Sequence, residues 1–415
     1  LKTLRQIYES LVIAVQSVVV NRLRTLLSLL GITIGIFAII SVFTVVDSLE
    51  RNVRESVSAF GNNIIYVERW PWVPEDNEYK WWKYMNYPQV KISEFYDIPQ
   101  LMPESVEAVA FVISTTRTVR YDKEYIDDIG VIGATYDYKE MRQTDIAQGR
   151  YFTPMETNGG IGLAVIGDKV ATELFMGENP IGKTIKISGK KLEVIGVFAK
   201  EGNNEFGMTY DSQVLVPLEF VKGITNMRWS NTNLIVKSRE EINFDDFKAE
   251  LTSVMRRLRR LSPQAENNFA INEISAINNQ LDSIFVMINL AGGIIGMFSI
   301  LVGGFGVANI MFVSVRERTA QIGIQKALGA KPYMILLQFV FEAILLSIAG
   351  GMIGLLLIFV GTEITSNITE FKIVLTLKNI IIGLGISSVV GAVSGIFPAY
   401  SAATMEPVKA IYKVQ

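Results

Sequence analysis

Residues 177–184 read Gly-Glu-Asn-Pro-Ile-Gly-Lys-Thr, the G-x-x-x-x-G-K-[ST] spacing of a phosphate-binding loop. Such a loop cradles phosphate with backbone N–H groups and a lysine, and it needs a strand before it and a helix after it. Here a helical pattern precedes Gly177, and Thr184-Ile185-Lys186-Ile187-Ser188 alternates like a strand. Asn179-Pro180 favours a turn. The eight residues are therefore read as a turn, with no nucleotide assigned to them.

Other bond-making chemistry is thinly supplied. The 415 residues contain no histidine and no cysteine. That excludes Ser-His-Asp and Cys-His nucleophiles, disulfides, and histidine- or thiolate-ligated metal. No catalytic residue, metal ligand or cofactor is assigned to this chain. The net charge of −2 supplies no field for nucleic acid, so none is expected as a partner. The run Met255-Arg256-Arg257-Leu258-Arg259-Arg260 is read as a solvated helix end. Glu342 is a carboxylate inside an apolar stretch. Such groups often relay protons, but no series of further buried acids accompanies it. A structural role is expected, with an arginine of the segment 316–332 as its partner.

The elements that carry these residues are dominated by membrane. Hydrophobic residues make up 49% of the chain, and mean hydropathy is +0.31. Four apolar runs are long enough to span: 26–46, 284–315 (within a stalk and span of 276–315), 333–360 and 379–402. The first run covers roughly 31 Å as a helix, about one bilayer core, with a stalk to about residue 60. It is too long for the apolar core of a secretory signal peptide. The fold expected is a membrane protein with four transmembrane α-helices and a large α/β extracytoplasmic domain, 61–275, between the first and second.

Short segments rich in Lys and Arg face the cytosol. The pieces 1–25, 316–332 and 403–415 carry Lys2, Arg5, Arg22, Arg24, Arg316, Arg318, Lys326, Lys331, Lys409 and Lys413. The loop 361–378 has Lys372 and Lys378 offset by Glu363 and Glu370. Both termini are thus expected in the cytosol of a multi-pass inner (plasma) membrane protein, with 47–283 outside. Residues 4–19 have amphipathic helical spacing, suited either to the lipid interface or to packing on the bundle.

In the outer region, strands are expected at 63–68, 107–112, 117–121, 126–134, 163–166, 183–187, 192–197, 214–216, 233–237 and 269–273. Helices are expected at 93–102, 168–175 and 244–261. Trp70, Trp72, Trp81 and Trp82 crowd one Pro-broken segment, either as a contact for a partner, substrate or lipid, or as a loop folded on its own domain. The spans carry Gly292/Gly296, Gly350/Gly354 and Gly391/Gly395, a spacing that lets helices approach closely. For the last two pairs, packing within one bundle is favoured.

Between two spans the chain reads Arg316-Glu317-Arg318-Thr319-Ala320-Gln321-Ile322-Gly323-Ile324-Gln325-Lys326-Ala327-Leu328-Gly329-Ala330. A short helix capped by Gly329 fits it, held by a span at each end. This stretch, the entry to the first span (Asn21-Arg22-Leu23-Arg24-Thr25-Leu26-Leu27) and the closing Phe397-Pro398-Ala399-Tyr400 and Glu406-Pro407-Val408-Lys409 segments resemble the MacB/FtsX-like permeases of ABC transporters. About half the chain carries the resemblance convincingly.

The resemblance implies a permease that works without chemistry of its own. Arg22, Arg24, Arg316, Glu317, Arg318, Ile322, Gly323, Gln325, Lys326, Ala327, Leu328 and Gly329 would couple to two copies of a separate ABC ATPase subunit, which binds ATP and Mg. A second permease copy, identical or related, would pair through the first two spans. The outer domain would contain an inserted lobe at about 136–212. The function implied is efflux of extracytoplasmic cargo (antibiotic, peptide or toxin) through a periplasmic adaptor and an outer-membrane channel. Lipoprotein release and control of a cell-wall hydrolase share the architecture. A membrane-anchored sensor that works without ATP is a further class.

Overall fold

The computed structural model describes residues 22–58, 61, 63–73, 79–142, 145–201, 209–226, 230–368 and 373–407. The amphipathic stretch 4–19 and the end of the tail lie outside them. The chain divides into two compact units, Asn52–Ser283 and the pair of segments Leu1–Arg51 and Ile284–Gln415.

Among the described residues the first unit is built on ten strands: β1 (Ile64–Glu68), β2 (Val106–Tyr121), β3 (Glu124–Ala134), β4 (Ile146–Gly149), β5 (Leu163–Ile166), β6 (Thr184–Ile187), β7 (Lys190–Phe198), β8 (Gln213–Pro217), β9 (Asn231–Ser238) and β10 (Ala270–Glu273). Their order is β10-β1-β9-β2-β3-β8-β5-β7-β4, and β6 pairs with both β2 and β7. The pairings β2-β3-β8-β5-β7-β6-β2 therefore close a ring. Residues 136–212 supply β4 to β7, of which β5, β6 and β7 belong to the ring, and the long hairpin β2–β3 and β8 complete it.

The expected strands at 107–112 and 117–121 are one strand of 16 residues. Its first part, Val106–Ser114, pairs with β9, and Val119 and Arg120 pair with β6. The change of partner coincides with a register shift between Arg117 and Val119. A β-bulge of this kind bends a strand and lets it serve two sheets.

Alternation along these strands separates two buried layers. Phe111, Ile113, Val131, Ile166, Leu192 and Val236 join one cluster with Phe247, Leu251 and Met255 of the helix Phe244–Leu258. Ala110, Val112, Ile132, Val165 and Ile235 point the other way, toward Tyr138, Phe198 and Tyr210.

The arginine run at 255–260 is solvated only in part: Arg257 and Arg260 are exposed as the sequence reading expects, but Arg256 and Arg259 are not. Arg259 pairs with Glu94 at 2.8 Å, each side chain only 6% exposed. Arg256 donates to the carbonyls of Ser262, Pro263 and Ala265 and so staples the loop that follows its own helix.

The second unit is a helical bundle. The chain's long apolar helices are Arg22–Ser58, Ile274–Glu317, Pro332–Ile368 and Leu377–Thr404, here called the first to fourth span helices. The second has 44 residues, about 66 Å against a ~30 Å hydrocarbon core. Ile36, Ile40, Val307, Met311, Phe339, Ala343, Ala399 and Ala402 form the bundle's centre.

Close approach depends on small residues. A Cβ on Gly391 would lie 2.8 Å from the Ala343 carbonyl oxygen, and one on Gly395 would lie 2.5 Å from the Ala343 Cβ. At Gly354 it would sit 3.3 Å from the Phe37 nitrogen, and the Gly350 carbonyl accepts from the Thr33 hydroxyl at 3.2 Å. Gly292 and Gly296 face Val42 and Ile39. All three glycine pairs thus pack helices of one chain together.

Candidate coupling site

The segment between the second and third span helices folds as expected from its pattern. Arg318 caps a nine-residue helix, Thr319–Ala327. The Thr319 hydroxyl donates to the carbonyls of Val315 and Arg316, and so ties the turn back to the second span helix. Gly329 ends the helix at φ +93°, a left-handed conformation that disfavours any Cβ, and its N–H reaches the Lys326 carbonyl at 3.0 Å.

Three contacts fix this helix to the bundle. Ile322 is 2% exposed and joins Val315, Ile335 and Phe339 in the core. Arg318 Nη1 donates to Glu342 Oε2 at 3.2 Å. Lys326 Nζ donates to the Met405 carbonyl at 2.6 Å, just beyond the fourth span helix. Glu342 is 4% exposed, so its intramembrane charge is answered by the arginine rather than by water.

The opposite face is bare. Ile324 is 53% and Leu328 84% exposed, one helical turn apart, with Gln321, Ala327 and Gly329 beside them. Arg316 and Glu317 are exposed at the end of the second span helix.

The residues assigned to coupling from the sequence therefore fall into two groups. Arg318, Ile322, Gly323 and Lys326 turn toward the bundle. Arg316, Glu317, Ala327, Leu328 and Gly329 face outward, and Gln325 is half-buried. Arg22 and Arg24 lie in the first turn of the first span helix. Ile324 was not among the sequence candidates, although its i, i+4 relation to Leu328 was readable.

The tryptophan segment also divides. Trp72 packs on Tyr66 with ring centroids 4.8 Å apart and donates its indole N–H to Glu68 at 3.1 Å. Asn272 Nδ2 donates to the Trp70 carbonyl at 2.8 Å and lies 3.4 Å from Glu68 Oε2. Burial pushes the Glu68 carboxyl up to about 7, against the indole and amide donors that favour its charged form. Trp81 and Trp82 stay more than half exposed, edge to face at 5.9 Å.

The Gly177–Thr184 turn has no phosphate-loop geometry. It leads from the helix Asp168–Phe175 into β6, and Lys183 is ion-paired with Glu178 and set over the Tyr121 ring.

The chain matches the family model of the MacB-like periplasmic core domain over residues 25–254, more than half its length, and that of the FtsX-like permease C-terminal region over 293–407. An uncharacterized ABC transporter permease of Bacillus subtilis, YknZ, is 29% identical, over 97% of this chain and 98% of its own. The macrolide export ATP-binding/permease protein MacB of Marinobacter nauticus is 31% identical, over 97% of this chain and 60% of its own. The pyoverdine export ATP-binding/permease protein PvdT of Pseudomonas aeruginosa is also 31% identical, over 94% and 57%. This chain thus spans little more than half of the two ATP-binding/permease relatives. Four apolar helices and the periplasmic-domain match describe a membrane protein with an α/β extracytoplasmic domain between the first and second spans. The chain belongs to the MacB/FtsX-like family of ABC transporter permeases.

Proposed function

We propose that this chain is the permease subunit that turns ATP hydrolysis by a partner into movement of its extracytoplasmic domain, and that the movement drives efflux of cargo from the outer side of the membrane. Two copies of the permease pair, and two ATPase subunits holding ATP and Mg grip the two Thr319–Ala327 helices from the cytosol. The N- and C-termini then lie on the same cytosolic side. The chain's own residues transmit work and break no bond.

The observation that carries this reading is the two-sided helix. Its inner side is locked to the third span helix through Glu342 and to the end of the fourth through the Met405 carbonyl. Its outer side offers Ile324 and Leu328 to solvent, where a short loop has no reason of its own to keep two large apolar side chains. A partner that displaces this helix displaces at least three spans, because packed elements shift as units. Export as the output is supported by the macrolide and pyoverdine export of the MacB and PvdT relatives. An adaptor and an outer-membrane channel would complete the path.

The test is purification of the tagged chain from its native membranes with mass spectrometry of what accompanies it. We expect an ABC ATPase, lost on Ile324→Asp with Leu328→Asp while the permease remains folded. An ATPase retained by the double variant would remove the coupling site. Its absence from the wild-type sample would remove the reading. A lipoprotein or a cell-wall hydrolase in place of an adaptor would redirect the output to lipoprotein release or wall control.

A further inference from the structure

The bundle contains a cleft of about 180 Å³ between the first and third span helices, lined by Phe37, Thr44, Val45, Leu357, Ile358 and Gly361 among others. We propose that this cleft holds one amine-headed glycerophospholipid, seated by an acyl chain along the apolar wall, with its ester carbonyl accepting a hydrogen bond from the Thr44 hydroxyl.

Thr44 is 1% exposed, and among the described residues its Oγ1 has no hydrogen-bond partner. The neighbouring hydroxyls are differently placed. Thr362 donates to the Phe359 carbonyl at 2.9 Å, Thr365 to Gly361 at 2.8 Å, and Ser48 to the Thr44 carbonyl at 2.7 Å. A buried donor left unmade costs about 1–3 kcal/mol in a protein interior. In hydrocarbon no bulk water can relieve it. The lipid ester is the acceptor that the medium itself supplies.

Depth agrees with that acceptor. Asp47 is the first charge after the apolar run, and Thr44 precedes it by three residues, about 4.5 Å of helix. On the third span helix Glu363 follows Gly361 by two. Thr44 therefore lies just inside the headgroup layer, on the side leading to the extracytoplasmic domain. Two carboxylates bracket that level, so an ammonium headgroup is favoured over an anionic one.

Size and access agree as well. The volume is below the ~300–1,000 Å³ of small-molecule sites, which suits part of one chain. Phe37, Val45 and Leu357 are 39–49% exposed, so the mouth lies on the bundle's outer surface. The site stands whether or not an ATPase couples to the chain.

The full-length chain is reconstituted in vesicles of phosphatidylethanolamine and phosphatidylglycerol. The vesicles contain traces of phosphatidylethanolamine bearing a diazirine beside one ester carbonyl, and adducts are mapped by mass spectrometry after illumination. Labelling should concentrate on 37–45 and 357–365 relative to the second span helix around Val302 and Phe305. A Cβ at Gly361 meets open space, so Gly361→Leu fills the cleft and should reduce its labelling to that background. Thr44→Val, which keeps shape and removes the donor, should reduce it about threefold or more, the worth of one hydrogen bond. Replacing the probe by its phosphatidylglycerol counterpart should weaken labelling of the cleft but not of the second span helix. Equal labelling of all lipid-facing surfaces, unaltered by both substitutions, overturns the proposal. So does labelling of 37–45 that appears only at one chain per vesicle and is lost as protein density rises, which would assign the cleft to a second copy.

Discussion

The two units of this molecule solve opposite solvation problems with the same residue types. In the extracytoplasmic domain Phe247, Leu251, Val131 and Ile166 are 0% exposed, and most charged side chains lie outside or in pairs. In the bundle Leu290, Val302 and Phe305 are 68–73% exposed, while Ser347, Ser387, Thr44 and Glu342 are at most 4% exposed. Water drives the first arrangement by expelling apolar surface. Lipid gives no such reward, so span helices are held by close backbone approach at glycine and by the few polar contacts they can satisfy. An exposed phenylalanine is thus neutral in one unit and would be a defect in the other.

The largest expected effect tests that contrast directly. Phe247→Ala should destabilise the extracytoplasmic domain by about 3–5 kcal/mol, whereas Phe305→Ala should leave both units unchanged. All five tryptophans lie in Asn52–Ser283, so tryptophan fluorescence during denaturation of the whole chain reports on that unit alone. Equal losses for the two substitutions would break the comparison.

Next in size is the ion pair inside the bundle. Arg318→Met strips the buried Glu342 of its guanidinium and should cost about 3 kcal/mol. Arg318→Met with Glu342→Leu should recover most of it, read as thermal aggregation in detergent. If the double variant remains as unstable as the single one, the pair does more than neutralise a charge.

Comparable in size but spread across pH is a slope in the stability of the extracytoplasmic domain. The Glu68 carboxyl is raised from 4.5 to about 7, so the folded state keeps a proton that the unfolded chain has released. Stability from this group is fullest below about 4.5, falls as pH rises toward 7, and is flat beyond. Glu68→Gln keeps an acceptor for Trp72 and should remove that slope; a slope unchanged in the variant would assign it to other groups.

The sequence revealed much of this because two periodicities, 3.6 and 2, survive where an element is long or half-buried. The four spans, the 244–258 helix and most strands were legible that way. Strand β2 was read as two because Ser114, Thr115 and Thr116 interrupt its apolar pattern. These residues line a polar hollow of about 540 Å³ together with Arg117 and Asn231, so the strand continues where its side chains do not need a core. β4 was missed because only one of its four residues is even partly buried.

The arginines at 256 and 259 were misread because charge looks solvated until its distant partners, such as Glu94, are known. In the Thr319–Ala327 helix, composition marked the segment but not its sides. Ile322 and Ile324 are the same residue two positions apart, and only packing tells which one faces the bundle.

The ring of strands has a consequence for inheritance. Residues 136–212 supply β4 to β7, yet these strands close on β2 and β8, which lie outside that stretch. A shortened chain lacking them would leave β8 and the outer end of β2 as raw edges that recruit other chains. Grafting this stretch between relatives would carry its surface across but leave its seams mismatched. A graft of this part of the domain therefore has a minimum parcel, which includes the β2–β3 hairpin and β8 as well as β4 to β7.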